Sequence, residues 1–166
     1  MACSFIKGDI FDEATGEGAP EGPRGIAFGA DCDGAMTTGI ASAFQKRWPA
    51  LGDAFAAHCA TGKMQLGDVF TWRDGDLFVY ALGVQRGSTK PRVSIFERAL
   101  RALVTRASED GVQRVLLPRI GAGKGGMDWI RVKRVITDVG QKTSLELVVF
   151  EQFIRQASAP PRSEPG

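Results

Sequence analysis

Cysteine and histidine are scarce in this 166-residue chain, and neither is placed for chemistry. Cys3, Cys32 and Cys59 are widely spaced, odd in number and in no metal-ligand pattern, which fits a reduced cytoplasmic setting. The single histidine, His58, has nothing catalytic beside it and reads as a structural or surface residue. No apolar run approaches the roughly 20 residues that span a bilayer, so no membrane contact is expected. The first residues, Met1-Ala2-Cys3-Ser4-Phe5-Ile6, lack the charged start and long apolar stretch of a signal peptide. Net charge is +2, too little by itself to argue for nucleic acid, whose binders concentrate a basic face. No internal repeat is visible. The 43% apolar and 24% charged content is ordinary for a soluble globular protein, and the length suits one domain with a sizeable core.

Glycine, by contrast, is concentrated. Val115-Leu116-Leu117 reads as a buried strand that stops at Pro118, passes through Gly121, Gly123, Gly125 and Gly126, and restarts as a helix capped by Asp128. Glycines at that density let the chain take positive φ and bring bare backbone N–H groups close to a ligand. The helix start adds its partial positive charge. Strand, glycine loop and helix in that order build an anion site, most often for phosphate. The loop is not a Walker A sequence, because Pro118 stands where the first glycine belongs and Gly125 where Ser or Thr would hold magnesium. Nor is it a dinucleotide fingerprint, since no βαβ continuation of adequate length follows.

A second loop, Asp31 to Gly39, also runs from a short strand, Gly25–Ala30, into a helix with Thr37 or Thr38 as its cap. Two helix starts aimed at one crevice would suit a diphosphate. Asp31 and Asp33 are unusual beside phosphates and need a hydrogen-bond donor, such as a sugar hydroxyl or a water, to face. In Gly8-Asp9-Ile10, taken alone, the aspartate reads more readily as a satisfied turn residue than as a binding one.

The remaining chain supplies the frame. Ser4–Lys7 is a first strand, and residues 12–24 have many breakers and read as an exposed loop. Ile40, Ala41, Phe44 and Trp48 recur at helical spacing until Pro49, and 50–60 reads as another short helix. Asp68–Trp72 and Leu77–Leu82 flank Arg73-Asp74-Gly75-Asp76 as a β-hairpin. Ser88-Thr89-Lys90-Pro91 opens the most regular helix, with Ile95, Phe96, Ala99, Leu100, Leu103, Val104 and Ala107 on one stripe. Arg86, Lys90 and Arg92 read as part of a solvated helix face. Leu145–Phe150 is the last strand. Strands and helices alternate, so a mixed sheet covered on both faces by helices is expected. The domain should occupy residues 1–153, with 154–166 a disordered tail, because from about Ala157 nothing can be buried.

Three segments, Gly8-Asp9-Ile10, Asp31-x-x-Gly34-x-Met36-x-x-Gly39-Ile40-Ala41 and Pro118-Arg119-Ile120-Gly121-x-Gly123-x-Gly125-Gly126-x-x-Trp129, together resemble the macro domain, over about Ser4 to Phe150. Met36-x-x-Gly39-Ile40-Ala41 and Lys90-Pro91 are similar to the branch of ADP-ribosyl-acceptor hydrolases and DNA-ADP-ribosylation antitoxins. The resemblance implies a three-layer α/β/α fold with a central mixed sheet, and ADP-ribose, or an ADP-ribosylated protein or nucleic acid, as ligand. It implies that Asp9 accepts from the adenine amino group with the Ile10 backbone beside it, and that Phe150, or failing it Phe153, lies against adenine. Met36, Thr37, Thr38, Gly39 and Ile40, with Ile120, Gly121, Ala122, Gly123, Lys124, Gly125 and Gly126, would hold the diphosphate and distal ribose, with no metal or cofactor. The lysine that attacks or activates the distal ribose in that branch falls at Val84, and a supporting aspartate found in some members at Gly125. Asp31 then becomes the catalytic candidate, as a general base toward water or by orienting the ribose, ahead of Lys124, Gln85 and Arg86. The resemblance leaves open a hydrolase and a non-catalytic ADP-ribose-binding module, and nothing in the sequence demands a dimer.

Overall fold

The computed structural model describes residues 3–37, 39–121 and 126–153, the last two by their backbone. Six strands form one sheet: β1 (Cys3–Gly8), β2 (Arg24–Asp31), β3 (Val69–Asp74), β4 (Leu77–Gln85), β5 (Arg114–Pro118) and β6 (Glu146–Phe153), in the spatial order β1-β6-β5-β2-β4-β3. All neighbours pair in parallel except β3, which runs antiparallel to β4 across the expected hairpin. The expected mixed sheet is therefore present, and all five parallel strands end at the same edge.

Alternation along the strands sends side chains to opposite faces, and each face has its own core. From β2 and β4, Ala27, Tyr80 and Leu82 pack with α4 (Val93–Glu109) and α5 (Trp129–Gln141). Ile26, Phe28, Val79 and Ala81 pack instead with α1 (Ile10–Thr15), α2 (Gly39–Arg47) and α3 (Pro49–Ala60). Three layers result. On α4 the anticipated stripe is the inner face, with Phe96, Ala99, Leu100, Leu103 and Ala107 buried.

Three elements differ from the expectation. Residues 12–24 are not wholly loop, because α1 runs through Thr15: the Asp9 carboxylate accepts from the N–H groups of Phe11 and Asp12, and Ile10, Phe11 and Ala14 bury one face. Strand β4 continues past Leu82 to Gln85, carrying Gly83 inside it, where an added Cβ would press on Cys32 Sγ and the Gln65 carbonyl. Helix α4 begins at Val93 rather than at Ser88–Pro91, with Arg92 in the capping position and no side-chain cap. The expected tail, 154–166, lies outside the described residues. No helix among them is long and apolar enough to cross a membrane.

Candidate functional site

Strands β2 and β5 are neighbours in the sheet, yet the helices that follow them cover opposite faces, α2 on one and α5 on the other. The chains leaving the two strand ends diverge and open a crevice, as they do at the switch point of any open parallel sheet. Here the crevice is a cavity of about 280 Å³. Asp31, Ala35, Thr37 and Ile40 line it from the β2–α2 side, and Arg119, Ile120 and Gly121 from the β5–α5 side. Val84, Gln85 and Gly87, at the end of β4, complete the wall. The two loops singled out in the sequence thus meet.

Gly29 makes the floor. A Cβ there would come 2.9 Å from Ile120 Cγ2 and 3.3 Å from Val84 Cγ2, so the strand end stays bare because no side chain fits. Gly121 takes φ +69 on the opposite wall, where an added Cβ would collide with Met127. The glycine loop is closed at its base, with Met127 N–H donating to the Gly121 carbonyl at 2.5 Å. The Arg119 guanidinium lies 5.0 Å from the centre of the Trp129 ring. Trp129 Nε1 donates to Glu151 at 2.9 Å, and Lys133 pairs with the same carboxylate at 3.1 Å. Hydrogen bonds from Trp129 and Lys133 hold the Glu151 carboxyl below its ordinary range. Asp128 caps α5 as expected, accepting from Ile130 N–H.

Asp31 lies half-buried in the crevice wall. Its Oδ1 accepts from Asp33 N–H at 2.9 Å, and both oxygens lie 3.1 Å from Gly87 N. The carboxylate therefore ties the β2–α2 loop to the β4–α4 loop. Among the described lining residues Asp31 is the one carboxylate and Arg119 the one cation. Val84, the position at which the resemblance led one to look for a lysine, is buried and apolar. Cys32 offers no replacement nucleophile, because burial pushes its thiol up to about 11.

The remaining candidates divide. Thr37, Ile40, Ile120 and Gly121 line the crevice as anticipated, and Gly39 opens α2 with φ +58. Met36 is not among the residues lining it: its side chain is buried in the core on the α1–α3 face of the sheet. Phe150 is likewise a core residue, 4% exposed, with its ring against Gly8, so it presents no open face to a base. Asp9 accepts at Oδ1 as the α1 cap, and the Ile10 side chain is core. Gly126 lines a neighbouring, larger cavity. Thr38, Ala122, Gly123, Lys124, Gly125 and the Phe153 side chain lie outside the described residues. His58 packs on Phe70, ring centres 4.9 Å apart, and is structural as read. Sequence reasoning missed Gly29, Gly87 and Arg119. A basic residue between strand and glycine loop was the available sign for Arg119, whereas the Gly87 contact spans 56 residues and had none.

Among curated proteins, the chain is 31% identical over 124 residues to the DNA ADP-ribosyl glycohydrolase of Thermus aquaticus, covering 71% of this chain and 34% of that one. It therefore spans about a third of that relative. It is 25% identical over 147 residues to the human ADP-ribose glycohydrolase OARD1, covering 89% and 90%. Of solved structures, the macrodomain of Thermus aquaticus DarG superposes with a TM-score of 0.78 at 24% identity, over 90% of this chain and 97% of that one. Thermosipho africanus DarTG in complex with ADP-ribose gives 0.78 at 16% identity, over 97% and 43%. A family model, described as the Macro domain, matches residues 28–136. That match runs from within β2 into α5 and takes in both loops of the crevice, so the chain belongs to the macro domain family.

Proposed function

We propose that the switch-point crevice binds ADP-ribose and that the chain cleaves an ADP-ribosyl linkage there, releasing ADP-ribose from a modified macromolecule or a small ester. One observation carries the reading: the 31–40 and 119–121 segments, far apart in sequence, face one another across the same crevice. Backbone N–H groups at the start of α2 and Arg119 supply positive potential for a pyrophosphate without a metal. The names of the Thermus aquaticus and human relatives, both glycohydrolases of ADP-ribosyl groups, support the same chemistry.

In this reading the distal ribose sits between Asp31 and Val84. Asp31, as the one carboxylate in the described wall, takes a proton from the water that attacks the anomeric carbon. The bond from that carbon to the acceptor breaks, and the acceptor leaves with a proton. The chain acts as a cytoplasmic monomer. A second reading, a module that holds ADP-ribose without turnover, is favoured by one residue, Val84 in the place of a lysine.

Titration calorimetry with ADP-ribose, followed by release assays on ADP-ribosylated glutamate, arginine, serine and DNA, tests both. Micromolar binding with release from at least one acceptor is expected. Binding without release from any of them would select the non-catalytic module, and absence of binding would end the proposal.

A further inference from the structure

The crevice has different borders on its two sides. On the β4 side, Val84, Gln85 and Pro91 divide it from a larger cavity of about 780 Å³. On the β5 side stands Arg119, and behind it a chain of contacts leads away to the end of β6. The Arg119 guanidinium lies 5.0 Å from the centre of the Trp129 ring. Trp129 Nε1 donates to Glu151 Oε2 at 2.9 Å, and Lys133 Nζ, one helical turn further on, donates to the same oxygen at 3.1 Å. Lys133 Nζ also lies 4.7 Å from the centre of the Phe5 ring. Phe5 meets Trp129 edge-on, with ring centres 6.5 Å apart. Neither Trp129 nor Glu151 is among the residues lining the crevice. No described residue forms an ion pair or hydrogen bond with the Arg119 side chain, so the indole is what orients it.

We propose that Glu151 is a positioning residue for the crevice: by fixing the Trp129 indole it holds Arg119 in one orientation toward the pyrophosphate of ADP-ribose. This rests on ADP-ribose occupying the crevice with Arg119 as a cation facing it. An unrestrained arginine visits many rotamers and gives them up when it binds, which lowers affinity. Stacking on an indole face removes much of that freedom beforehand. The stack is only as steady as the indole, and the hydrogen bond from Nε1 selects one setting of the ring. Glu151 supplies the acceptor, and Lys133 keeps that carboxylate in place. Arg119 and Trp129 also stand on either side of the glycine loop. Their contact, with the hydrogen bond from Met127 N–H to the Gly121 carbonyl, ties the two ends of that loop together. The sign of the charge fits an indirect role, since a carboxylate facing the phosphates would repel them, whereas Glu151 faces the indole and a lysine.

The test is a pair of double-mutant cycles on the whole chain, read as ADP-ribose affinity by titration calorimetry. Glu151→Ala should raise the Kd by about 3- to 10-fold, within the range for immobilising one long side chain on binding. Glu151→Gln, which keeps an oxygen for the indole N–H, should recover most of that loss. In an Arg119→Gln background the Glu151→Ala substitution has nothing to act on and should change the Kd by less than about 1.5-fold. The same silence is expected in Trp129→Phe, which keeps a ring without the donor, and this cycle decides if Arg119→Gln binds too weakly to titrate. A stoichiometry near one in each titration shows that the variants fold. A merely structural Glu151 would lower the urea midpoint and leave the Kd of the folded protein where it was. That result would overturn the proposal, and so would an equal factor from Glu151→Ala with and without the Trp129 donor. Absence of binding by the wild type would instead remove the reading of the crevice.

Discussion

Asp31 stands in two roles that one pair of substitutions separates. As a clamp, its carboxylate holds Gly87 and Asp33 N–H groups, and as a base it must accept a proton from water. Asn keeps an oxygen at the Oδ1 position, where both N–H groups already point, and loses the basicity. Its amide nitrogen falls 3.1 Å from Gly87 N, a mismatch softened because that N–H is shared between the two oxygens. Asp31→Asn should therefore hold ADP-ribose within about threefold while the single-turnover release rate falls by about 10²- to 10⁴-fold, the usual share of a general base. Asp31→Ala removes the clamp as well. Hydrogen bonds to a charged group are worth about 1.5–3 kcal/mol, and partial exposure here reduces that to about 1–2 kcal/mol, or roughly a 5- to 30-fold loss of ADP-ribose affinity. Rapid-quench release, with calorimetry on the same preparations, reads both quantities. Wild-type turnover by the Asn variant would remove Asp31 from the chemistry. Unchanged affinity in the Ala variant would show that the tie to Gly87 does not shape the crevice.

Gly29→Ala forces a methyl against Ile120 and Val84, so it should cost about 1–3 kcal/mol in urea unfolding and weaken ADP-ribose binding as the floor rises. Trp129→Ala deletes the ring under Arg119 and the donor to Glu151, and should raise the ADP-ribose Kd severalfold and also lower the urea midpoint, because the ring packs against the core and edge-on to Phe5. Trp129→Phe, which keeps a ring, should recover part of that affinity in the same titration. Burial and the hydrogen bond to Asp110 push the Tyr80 hydroxyl well above its ordinary value of 10.0. Its contribution is complete below that ordinary value and is lost as pH rises beyond it, so thermal melts should fall steeply in strong alkali and less steeply in Tyr80→Phe. Glu151 is shifted the other way from 4.5, so its contribution is present above that pH and disappears as pH falls below it. Glu151→Gln should flatten the acid limb of the melting profile.

Most of the frame was readable from periodicity. The α4 stripe, the Asp-Gly hairpin and the apolar strand before Pro118 each declare their element by the spacing of buried side chains. Short elements were less visible: α1 has six residues and is held by Asp9 and a buried face, which a count of nearby glycines and prolines hides. Gly83 broke the β4 pattern early, although the residues after it form the wall between the two cavities. For the site, loop composition pointed to the right places, since a run of glycines has a local cause. Phe150 and Met36 have core side chains, a placement that an aromatic or thioether at a strand end or loop does not announce in the sequence. Asp31 could be picked out by type, but its partner Gly87 came from another strand and had to be found in three dimensions.

The partition formed by Val84, Gln85 and Pro91 belongs to both chambers, and Asp31 anchors it from one side through Gly87. Any occupant that steadies this partition changes the free energy of whatever lies behind it. Such linkage is reciprocal: the factor by which a filled left-hand chamber sharpens affinity on the right equals the factor in the other direction. A molecule bridging both chambers gains in addition from its own tether, and once its two halves are severed each leaves as a separate ligand and parts more readily than the intact one.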